Sequence, residues 1–424
     1  MSTCKPVYIG IDWSTAKHDV VFLNKDGRRL LKFVMRHEQG EFLKLFERCQ
    51  QQGLALCDCH IAIETSYNLL VDFLWSYGCN VYVIPPSVVT ASRGRYRSSG
   101  AHNDVSDAHL LADLLRTDGQ RFVAWQPDSL LTRQMRSLVT LLEQLTRYST
   151  SLSNQLRALL LRYYPAMLAL FPNLTTKTAL AFLCTYPTPQ DAATLDELTL
   201  RHFLHQRRYP CPHKLLAKLP LLLTPTLQTP PETALALAPV ALALARQLTG
   251  IGSELAQAQA MLTTLFRQHP DHDIFASLPG AGDFLAPALL VQFGDQRDRF
   301  VSAADLQSLA GTSPVTLQSG KARSVRFRRA CDHQFRRIIT QLAVCAVSNS
   351  HAPFAVAYYE ELLARGKSQN QAYRCLANRL LAITWKLWRT RTPYDPAFHL
   401  QQRLQRRQPL PIPPPAPFTQ PQAA

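Results

Sequence analysis

The first 125 residues alternate strand-like and helix-like patterns in a single order. Five apolar runs of strand length occur, at residues 7–12, 19–24, 30–35, 59–65 and 80–86. The first three follow one another directly, and the turn segment 25–27 between the second and third is typical of a hairpin. Helical patterns separate the later runs, and a last helix opens near Asp104. Since hairpin strands pair antiparallel and strands joined through helices pair parallel, residues 1–126 are predicted to form an α/β domain with a mixed sheet.

From Pro127 onward the pattern is helical. Apolar residues recur at helical spacing over about ten turns up to Pro165, which predicts one long helix and suggests a coiled-coil arm. A second long run, 232–270, is placed to return antiparallel, and Pro239 and two glycines are expected to kink it. We therefore expect three regions after the first domain. They are a helical, coiled-coil linker with a proline-rich insert at 127–270, a mostly helical domain at 271–395, and a disordered proline-rich tail at 396–424.

Positive charge is concentrated near the C-terminus. The net charge is +16, and between Lys321 and Arg407 there are 17 lysine and arginine residues against four acidic ones. Such a concentration favours a polyanionic partner, because each neutralised phosphate releases condensed counterions. A basic surface kept for solubility is the alternative interpretation.

Targeting signals are not evident in the sequence. The start MSTCKPVYIGIDW lacks the layout of a secretory signal, and no run of about 18 apolar residues is recognised. The ten cysteines are scattered without zinc-site spacing, which favours free thiols. We expect a cytoplasmic protein, associated with the nucleoid of a bacterium, that has no membrane partner.

Four carboxylates stand at positions where strands end or a helix begins. Asp12 ends the first strand and Glu64 ends the fourth, and both interrupt apolar runs. Asp104 and Asp107 open the helix GAHNDVSDAHLLADLL, where the helical angle turns both toward the sheet, whereas Asp113 is expected to face water. Acidic residues at a helix start also interact with the helix dipole, so a purely structural role is the alternative. Because hard divalent cations prefer carboxylate ligands, the four together favour a Mg²⁺ site, with Mn²⁺ as a substitute.

Two motifs stand out in the C-terminal region. The segment LPGAG lies between two helical runs, as in a helix-hairpin-helix, and Gly280 and Gly282 are expected to expose amides to a phosphate; a plain turn is the alternative. The following loop, 311–329, mixes hydroxyl side chains with basic ones. A serine there could attack a phosphate if its proton is removed and cationic groups receive the charge.

Together these features resemble a known protein family. The strand order with Asp12, Glu64 and an Asp104-x-x-Asp107-Ala motif is similar to RNase H-like, RuvC-like resolvases and, more specifically, to the DEDD transposases of bacterial insertion sequences of the IS one-ten type, which are bridge-RNA-guided. The lead-in ASRGRYRSSGAHND resembles the basic segment that this family places before its aspartate pair. The segment from Pro314 to Gly320 resembles the family's P-x-x-x-x-S-G pattern.

The resemblance implies a mechanism and a set of partners. It implies that the four acids bind Mg²⁺ and that Ser319 attacks DNA to form a phosphoserine link, with Ser313 and Ser324 as alternatives. It further implies a composite acidic and serine site, a structured guide RNA, and a dimer or tetramer. We expect nucleic-acid contacts at basic and glycine positions: Arg93, Arg95, Arg97, Gly280, Gly282, Lys321, Arg323, Arg326, Arg328 and Arg329.

Other functions share parts of this pattern. A resolvase could cut branched DNA with metal-activated water and leave Ser319 structural. An actin-like ATPase or sugar kinase is suggested by GIDWSTAKHDVVFLNKDG, although no second DxGG-like phosphate loop is present. A coiled-coil nucleic-acid-binding protein without catalysis is the third alternative. Tyr358 and Tyr359 could be mistaken for recombinase nucleophiles, but an amphipathic helix there favours core packing.

Overall fold

The computed structural model describes residues 6–55, 59–65, 68–95, 104–223, 229–320, 322–348, 352–398 and 401. Of the expected disordered tail at 396–424, residues 399–400 and 402–424 lie outside them, whereas residues 396–398 and 401 are helical. The chain divides into two compact units, Met1–Asp128 and Ser129–Ala424.

A five-stranded mixed sheet organises the first unit. Its strands are β1 (Val7–Trp13), β2 (Lys17–Leu23), β3 (Arg29–Arg36), β4 (Cys59–Ile63) and β5 (Asn80–Val83). They lie in the order β3-β2-β1-β4-β5. The first three pair antiparallel, whereas β1, β4 and β5 pair parallel. The predicted mixed sheet is therefore confirmed, and its topology is consistent with an RNase H-like domain.

Helices cover both faces of this sheet. They are α1 (Gln39–Gln51), α2 (Leu69–Ser76), α3 (Pro86–Ser92) and α4 (Asp104–Asp118). Alternate β1 residues such as Ile9 and Ile11 join a core with α1 and α2. On the opposite face, Val21 of β2 packs against Ala108 and Ala112 of α4. The period-two alternation of each strand thus decides which helix each residue meets.

The contact between β1 and α4 is unusually close at Gly10. A Cβ atom at this position would lie 1.9 Å from the carbonyl oxygen of Ala108 and 2.6 Å from the amide nitrogen of Ala112. Both are backbone atoms, so no side-chain rotation could relieve the overlap. Only glycine lets the helix lie this close to the strand.

The expectation that Asp113 faces water is wrong. Its side chain is buried and accepts a hydrogen bond of 2.7 Å from Nε of Arg116. The helical-wheel inference failed because α4 is buried around most of its circumference, including Leu110 and Leu114 beside the sheet-facing alanines. A buried carboxylate is tolerated here since a guanidinium pairs with it.

Two long helices form the spine of the second unit. They are α5 (Leu130–Tyr163) and α12 (Pro231–Gln268). The start of α5 shares a core with the end of α12 around Met135 and Phe266, and the end of α5 shares another core with the start of α12 around Leu160 and Ala241. The helices are therefore antiparallel neighbours, as expected. The second helix is continuous through Pro239.

Among the described residues, α12 is the helix with the length and apolar content to cross a bilayer, and 28% of its most apolar window is buried. This window does not stand out in the sequence because its alanine-rich stretches are only mildly apolar. Its buried face, which includes Ala234, Ala241 and Ala245, packs in the core shared with α5. This packing is what a helix within a protein core requires.

Six short helices fill the proline-rich segment between the long ones. They are α6 (Pro165–Leu170), α7 (Lys177–Thr185), α8 (Pro189–Ala192), α9 (Glu197–Gln206), α10 (Pro212–Leu216) and α11 (Pro220–Leu223). Four of them begin with proline at the first turn, where its missing N–H costs nothing. Their apolar residues join the core around Tyr163 and Phe182. This segment is thus more regular than its composition indicates.

The C-terminal part combines helices with one small hairpin. The helices are α13 (His272–Ala276), α14 (Leu285–Phe293), α15 (Ala303–Leu309), α16 (His333–Ser348), α17 (Pro353–Ala364) and α18 (Gln369–Thr390). The strands β6 (Val315–Ser319) and β7 (Ala322–Arg326) pair antiparallel. Phe293, Phe335 and Trp388 form the centre of the core.

A polar network fixes the start of α5 within this unit. The carboxylate of Asp295 accepts hydrogen bonds from the hydroxyl of Thr132, at 2.7 Å, and from the amide of Ser129. Its Oδ1 lies 3.1 Å from Nε2 of His269, whose Nδ1 accepts from the amide of Asp271. Although burial opposes ionisation, these donors together hold the pKa of Asp295 well below its usual range.

Replacing Gly10 with alanine should destabilise the first unit by about 3 kcal/mol, because overpacking against backbone cannot be relieved by rotamer changes. Hydrogen exchange of peptides from β1 and α4 measures this loss of protection. The control is Gly40→Ala in α1, where no atom lies within 4 Å of the added Cβ and protection should be kept. Equal protection in the Gly10→Ala variant and the wild type would contradict the close β1–α4 contact.

Candidate active site

The strand register aligns two of the predicted acids. In the parallel pair, Gly10 of β1 lies opposite Ala62 of β4, and Ile11 lies opposite Ile63. Asp12 and Glu64 are the next residues on these two chains. Gly10 and Ala62 face α4, and Asp12 and Glu64 lie two residues further along their chains. Because alternate strand residues share a face, the two carboxylates lie on neighbouring chains on the α4 side of the sheet edge.

Asp107 approaches the same edge from α4. Its Oδ2 accepts a hydrogen bond of 2.8 Å from Nη2 of Arg93. The pKa of Glu64 is raised by burial and then by the negative charge of Asp107, and it is partly lowered again by Arg93. Glu64, Asp107 and Arg93 are therefore electrostatic neighbours, and one guanidinium offsets the charge of two converging carboxylates.

Asp104 is the first residue of α4, one turn before the alanine that touches Gly10. Its side chain lies outside the described residues, so its contacts are not part of this geometry. Within the described part of the chain, no three histidine, cysteine, aspartate or glutamate side chains are grouped closely enough to hold a metal ion. The four-acid metal site therefore stays a prediction. The oxygen donors and the repulsion felt by Glu64 fit a divalent cation, because hard cations take carboxylates and would offset that repulsion.

The sequence predicts a nucleic-acid contact for Arg93, and no sequence pattern indicates its position beside the acids. Asp19 is a further acid that is absent from the predicted site; it pairs with Asp12 between β1 and β2 and is only 5% exposed. Asp19 interrupts the apolar strand KHDVVFL. Asp19 carries the same sequence signal as Asp12, namely an acid inside an apolar strand.

A histidine pair stabilises the turn that follows Asp12. His18 is fully buried, and its Nε2 lies 2.9 Å from Nδ1 of His37. Its Nδ1 accepts a hydrogen bond from the amide of Ser14, so the proton is assigned to Nε2. Burial, followed by repulsion from His37, lowers the pKa of His18 to about 4. His18 is therefore neutral in the folded protein at neutral pH.

The predicted nucleophile lies at the end of a hairpin in the second unit. We call residues 315–326 the serine hairpin. Ser319 pairs with Ala322, and Gly320, directly after Ser319, is a turn residue with a φ of +54° in the left-handed region. Ser319 is exposed, as is every residue of β7. A hydroxyl at such a tip is accessible to a large substrate.

The base of the serine hairpin is anchored by cation–π contacts. Phe327 follows β7 directly and has the guanidinium carbons of Arg336 and Arg374 at 4.5 and 4.4 Å from its ring centre. Arg328 donates from Nε to the carbonyl of Ser313, and Arg336 donates to the carbonyl of Arg328. The hairpin thus rests on a cationic base supplied by α16 and α18.

The alternative serines occupy different positions. Ser313 is half-buried before β6, with its hydroxyl 3.4 Å from that of Ser308. Ser324 is exposed in the middle of β7, opposite Leu317. Of the described serines in this segment, Ser319 is the one beside the turn.

The other predicted nucleic-acid residues are placed unevenly. Arg323, Arg326 and Arg329 are exposed and Arg328 is half-buried. Arg97, Lys321 and the side chain of Arg95 lie outside the described residues. Gly280 has a φ of +79°, and a Cβ there would lie 2.5 Å from the amide nitrogen of Ala346, so packing on α16 already explains this glycine. Gly282 is exposed and has no such constraint.

Tyr359 is 8% exposed and stacks on Tyr373 with ring centres 4.6 Å apart. It packs with Leu362 and Ala372, and Tyr358 is partly buried against the same cluster. Core packing is therefore confirmed for this tyrosine pair.

Comparison with known proteins identifies the class. A transposase family of the DEDD, IS110 type matches residues 9–165, which include most of the first unit's sheet and its acids. The IS116/IS110/IS902 transposase family matches residues 272–360, which include the serine hairpin. The two matches cover the parts of the chain that carry the candidate site residues.

Three relatives agree with these matches, two of them over more than 90% of both chains. A protein named as the mini-circle transposase for IS117 of Streptomyces coelicolor is 31% identical over 92% of this chain and 95% of the relative. A 42 kDa protein of insertion element IS900 from Mycobacterium paratuberculosis is 26% identical over 93% of this chain and 98% of the relative. The pilin gene-inverting protein of Moraxella bovis is 31% identical over 30% of this chain and 39% of the relative.

The chain belongs to the IS110 family of insertion-sequence transposases. It is accordingly an enzyme that acts on DNA and binds it.

The stability of the first unit should fall as the pH drops from about 6.5 to about 4. In this window His18 stays neutral in the folded state, whereas the unfolded chain binds a proton, so protonation favours unfolding. The expected loss is on the order of 2 to 3 kcal/mol. Hydrogen exchange of β2 peptides across this pH range measures it, and His18→Asn should flatten the dependence. The same slope in that variant would assign the effect to other groups.

Proposed function

We propose that this transposase cuts and rejoins DNA strands with two sets of residues. Asp12, Glu64, Asp104 and Asp107 hold Mg²⁺, and Mn²⁺ can replace it. Ser319 is the nucleophile. The observation that supports the proposal most is the alignment of Asp12 with Glu64 at the edge of parallel strands, with Asp107 close enough to raise the pKa of Glu64.

The acids supply a binding site for cations rather than a proton-transfer group. Two Mg²⁺ ions, when bound, would stabilise negative charge on the attacking and leaving oxygens of a phosphodiester. Asp107 is held by Arg93 in the present geometry. The positive charge of Arg93 reduces the repulsion between Asp107 and Glu64 in the absence of a metal. A guanidinium is also suited to contact a DNA phosphate.

Ser319 supplies the covalent step. Its Oγ attacks a DNA phosphorus, an Oγ–P bond forms, and the bond from phosphorus to a deoxyribose oxygen breaks. The serine proton passes to solvent or a basic group, and the leaving oxygen takes up a proton to become a free hydroxyl. Attack by a hydroxyl of another strand reverses these steps and joins the new strands.

The surroundings of Ser319 fit a phosphate substrate. Arg323 pairs with Gln318, beside the serine, and Arg326 lies at the other end of β7. Both side chains are exposed. Arginines at these positions would bind the DNA backbone and offset charge on the phosphate during attack.

A structured guide RNA and a dimer or tetramer complete the proposal. The excess of basic residues from Lys321 to Arg407 is compatible with RNA as well as DNA. The resemblance of 130 residues to a pilin gene-inverting protein supports recombination between DNA segments.

A metal-dependent nuclease without serine chemistry is the second candidate. It is favoured by one observation, namely that the acids belong to a compact unit of their own. In that case water would replace the serine hydroxyl, and no protein–DNA bond would form.

Ser319→Ala separates the two candidates. We expect loss of strand joining and of any covalent protein–DNA product on a denaturing gel, because no other described hydroxyl lies beside the hairpin turn. Ser324→Ala, on the same exposed hairpin, is the matched control and should keep activity within about threefold of wild type. Full cleavage and joining by Ser319→Ala would remove Ser319 as the nucleophile, whereas cleavage without joining would favour the nuclease that uses water.

RNA dependence is tested by purification. We expect one structured RNA species, encoded next to the reading frame, to co-purify with the protein and to be needed for strand joining after nuclease treatment. Sequencing of the bound RNA and addition of the transcript to RNA-free protein measure this. Equal recombination by RNA-free protein would remove the guide from the proposal.

A further inference from the structure

A buried carboxylate beyond the four predicted acids faces the same side of the sheet. Asp19 of β2 lies directly opposite Asp12 of β1. Two residues further along β2, Val21 packs against Ala108 and Ala112 of α4. Because side chains alternate along a strand, Asp19 is directed to the α4 side, as Asp12 is.

The charge of Asp19 is not offset by a described partner. Its residue is 5% exposed, and among the described residues no hydrogen bond or ion pair to its carboxylate is found. Directly opposed side chains in an antiparallel pair have Cβ atoms about 5 Å apart, and like charges there repel. A buried carboxylate is costly unless it is paired or binds a cation.

We propose that Asp19 is a fifth carboxylate of this edge and that it binds a divalent cation together with Asp12. The inference rests on the proposed function for the presence of a cation, and it adds a ligand that the four-acid pattern does not contain. An all-oxygen pair is suited to Mg²⁺ or Mn²⁺. Asp19 would hold the ion from the β2 side, while Glu64 follows β4 on the other side of β1.

A purely structural role for Asp19 predicts the opposite stability effect. If the carboxylate of Asp19 stabilises the fold, the Asp19→Asn variant is less stable than wild type. If the carboxylate serves to bind a cation, the metal-free variant is more stable than wild type, because the repulsion from Asp12 is removed.

The direct test makes two measurements on the full chain. Electron paramagnetic resonance of free Mn²⁺ gives the Mn²⁺ affinity, and thermal unfolding in the presence of a chelator gives the stability of the metal-free protein. For Asp19→Asn we expect affinity weaker by roughly tenfold or more and a higher unfolding midpoint in chelator than wild type. Asp26→Asn, an exposed acid in the β2–β3 turn, is the matched control and should change neither quantity.

A second variant leaves Asp19 in place. Val34 of β3 is the cross-strand partner of Asp19 and is 50% exposed. Val34→Lys puts an ammonium group beside Asp19, so it should also weaken Mn²⁺ binding and raise the midpoint in chelator. Val34→Met, of similar length and without charge, should leave Mn²⁺ binding unchanged.

The outcomes separate this inference from the proposed function. Wild-type Mn²⁺ affinity in Asp19→Asn, with weakened affinity in Asp12→Asn and Glu64→Gln, overturns the role of Asp19 and keeps the four-acid site. Wild-type affinity in all three variants overturns both. Weakened affinity in Asp19→Asn with a lower midpoint in chelator also overturns the inference, because the loss then follows from a damaged fold.

Discussion

The backbone contact between Gly10 and α4 positions the acidic edge of this transposase. The missing side chain lets the carbonyl of Ala108 lie against β1, and Asp107 immediately precedes that alanine. Gly10 is also in register with Ala62, two residues before Glu64. This close contact therefore sets the distance from α4 to both β1 and β4. A displaced α4 would move Asp107 away from Glu64.

Electrostatic strain at this edge has the character of a functional site. Glu64 ionises less readily than an exposed glutamate because it is half-buried near Asp107, and Asp12 lies opposite Asp19 of β2. A fold selected for stability alone would not place like charges in these positions. Arg93 offsets part of this repulsion through its ion pair with Asp107.

Much of the first unit could be predicted from sequence because strand alternation and helix periodicity are local properties. The mixed sheet and the strand-end positions of Asp12 and Glu64 follow from them. Asp113 was placed wrongly, since helical angles cannot reveal that α4 is buried on most sides. The pairing of Arg93 with Asp107 depends on a tertiary approach, and no local pattern encodes it. Asp19 carried a readable signal that was passed over.

The second unit was predicted more coarsely. The two long helices were evident from their apolar spacing, whereas the short helices of the proline-rich segment are held by a shared core that composition does not reveal. The serine segment reads as a loop because charged residues interrupt its strands, although it pairs as a regular hairpin. Gly280 is a packing residue, and that role depends on the distant Ala346.

The central claim is that the α4 face of the sheet edge is a divalent-cation site. An anomalous-difference map from crystals grown with Mn²⁺ tests it most directly. The account predicts a peak within about 2.0–2.6 Å of carboxylate oxygens from Asp12 and at least one acid of α4 or β4. A map with no peak at this edge, from crystals in which the same residues are ordered, would contradict it.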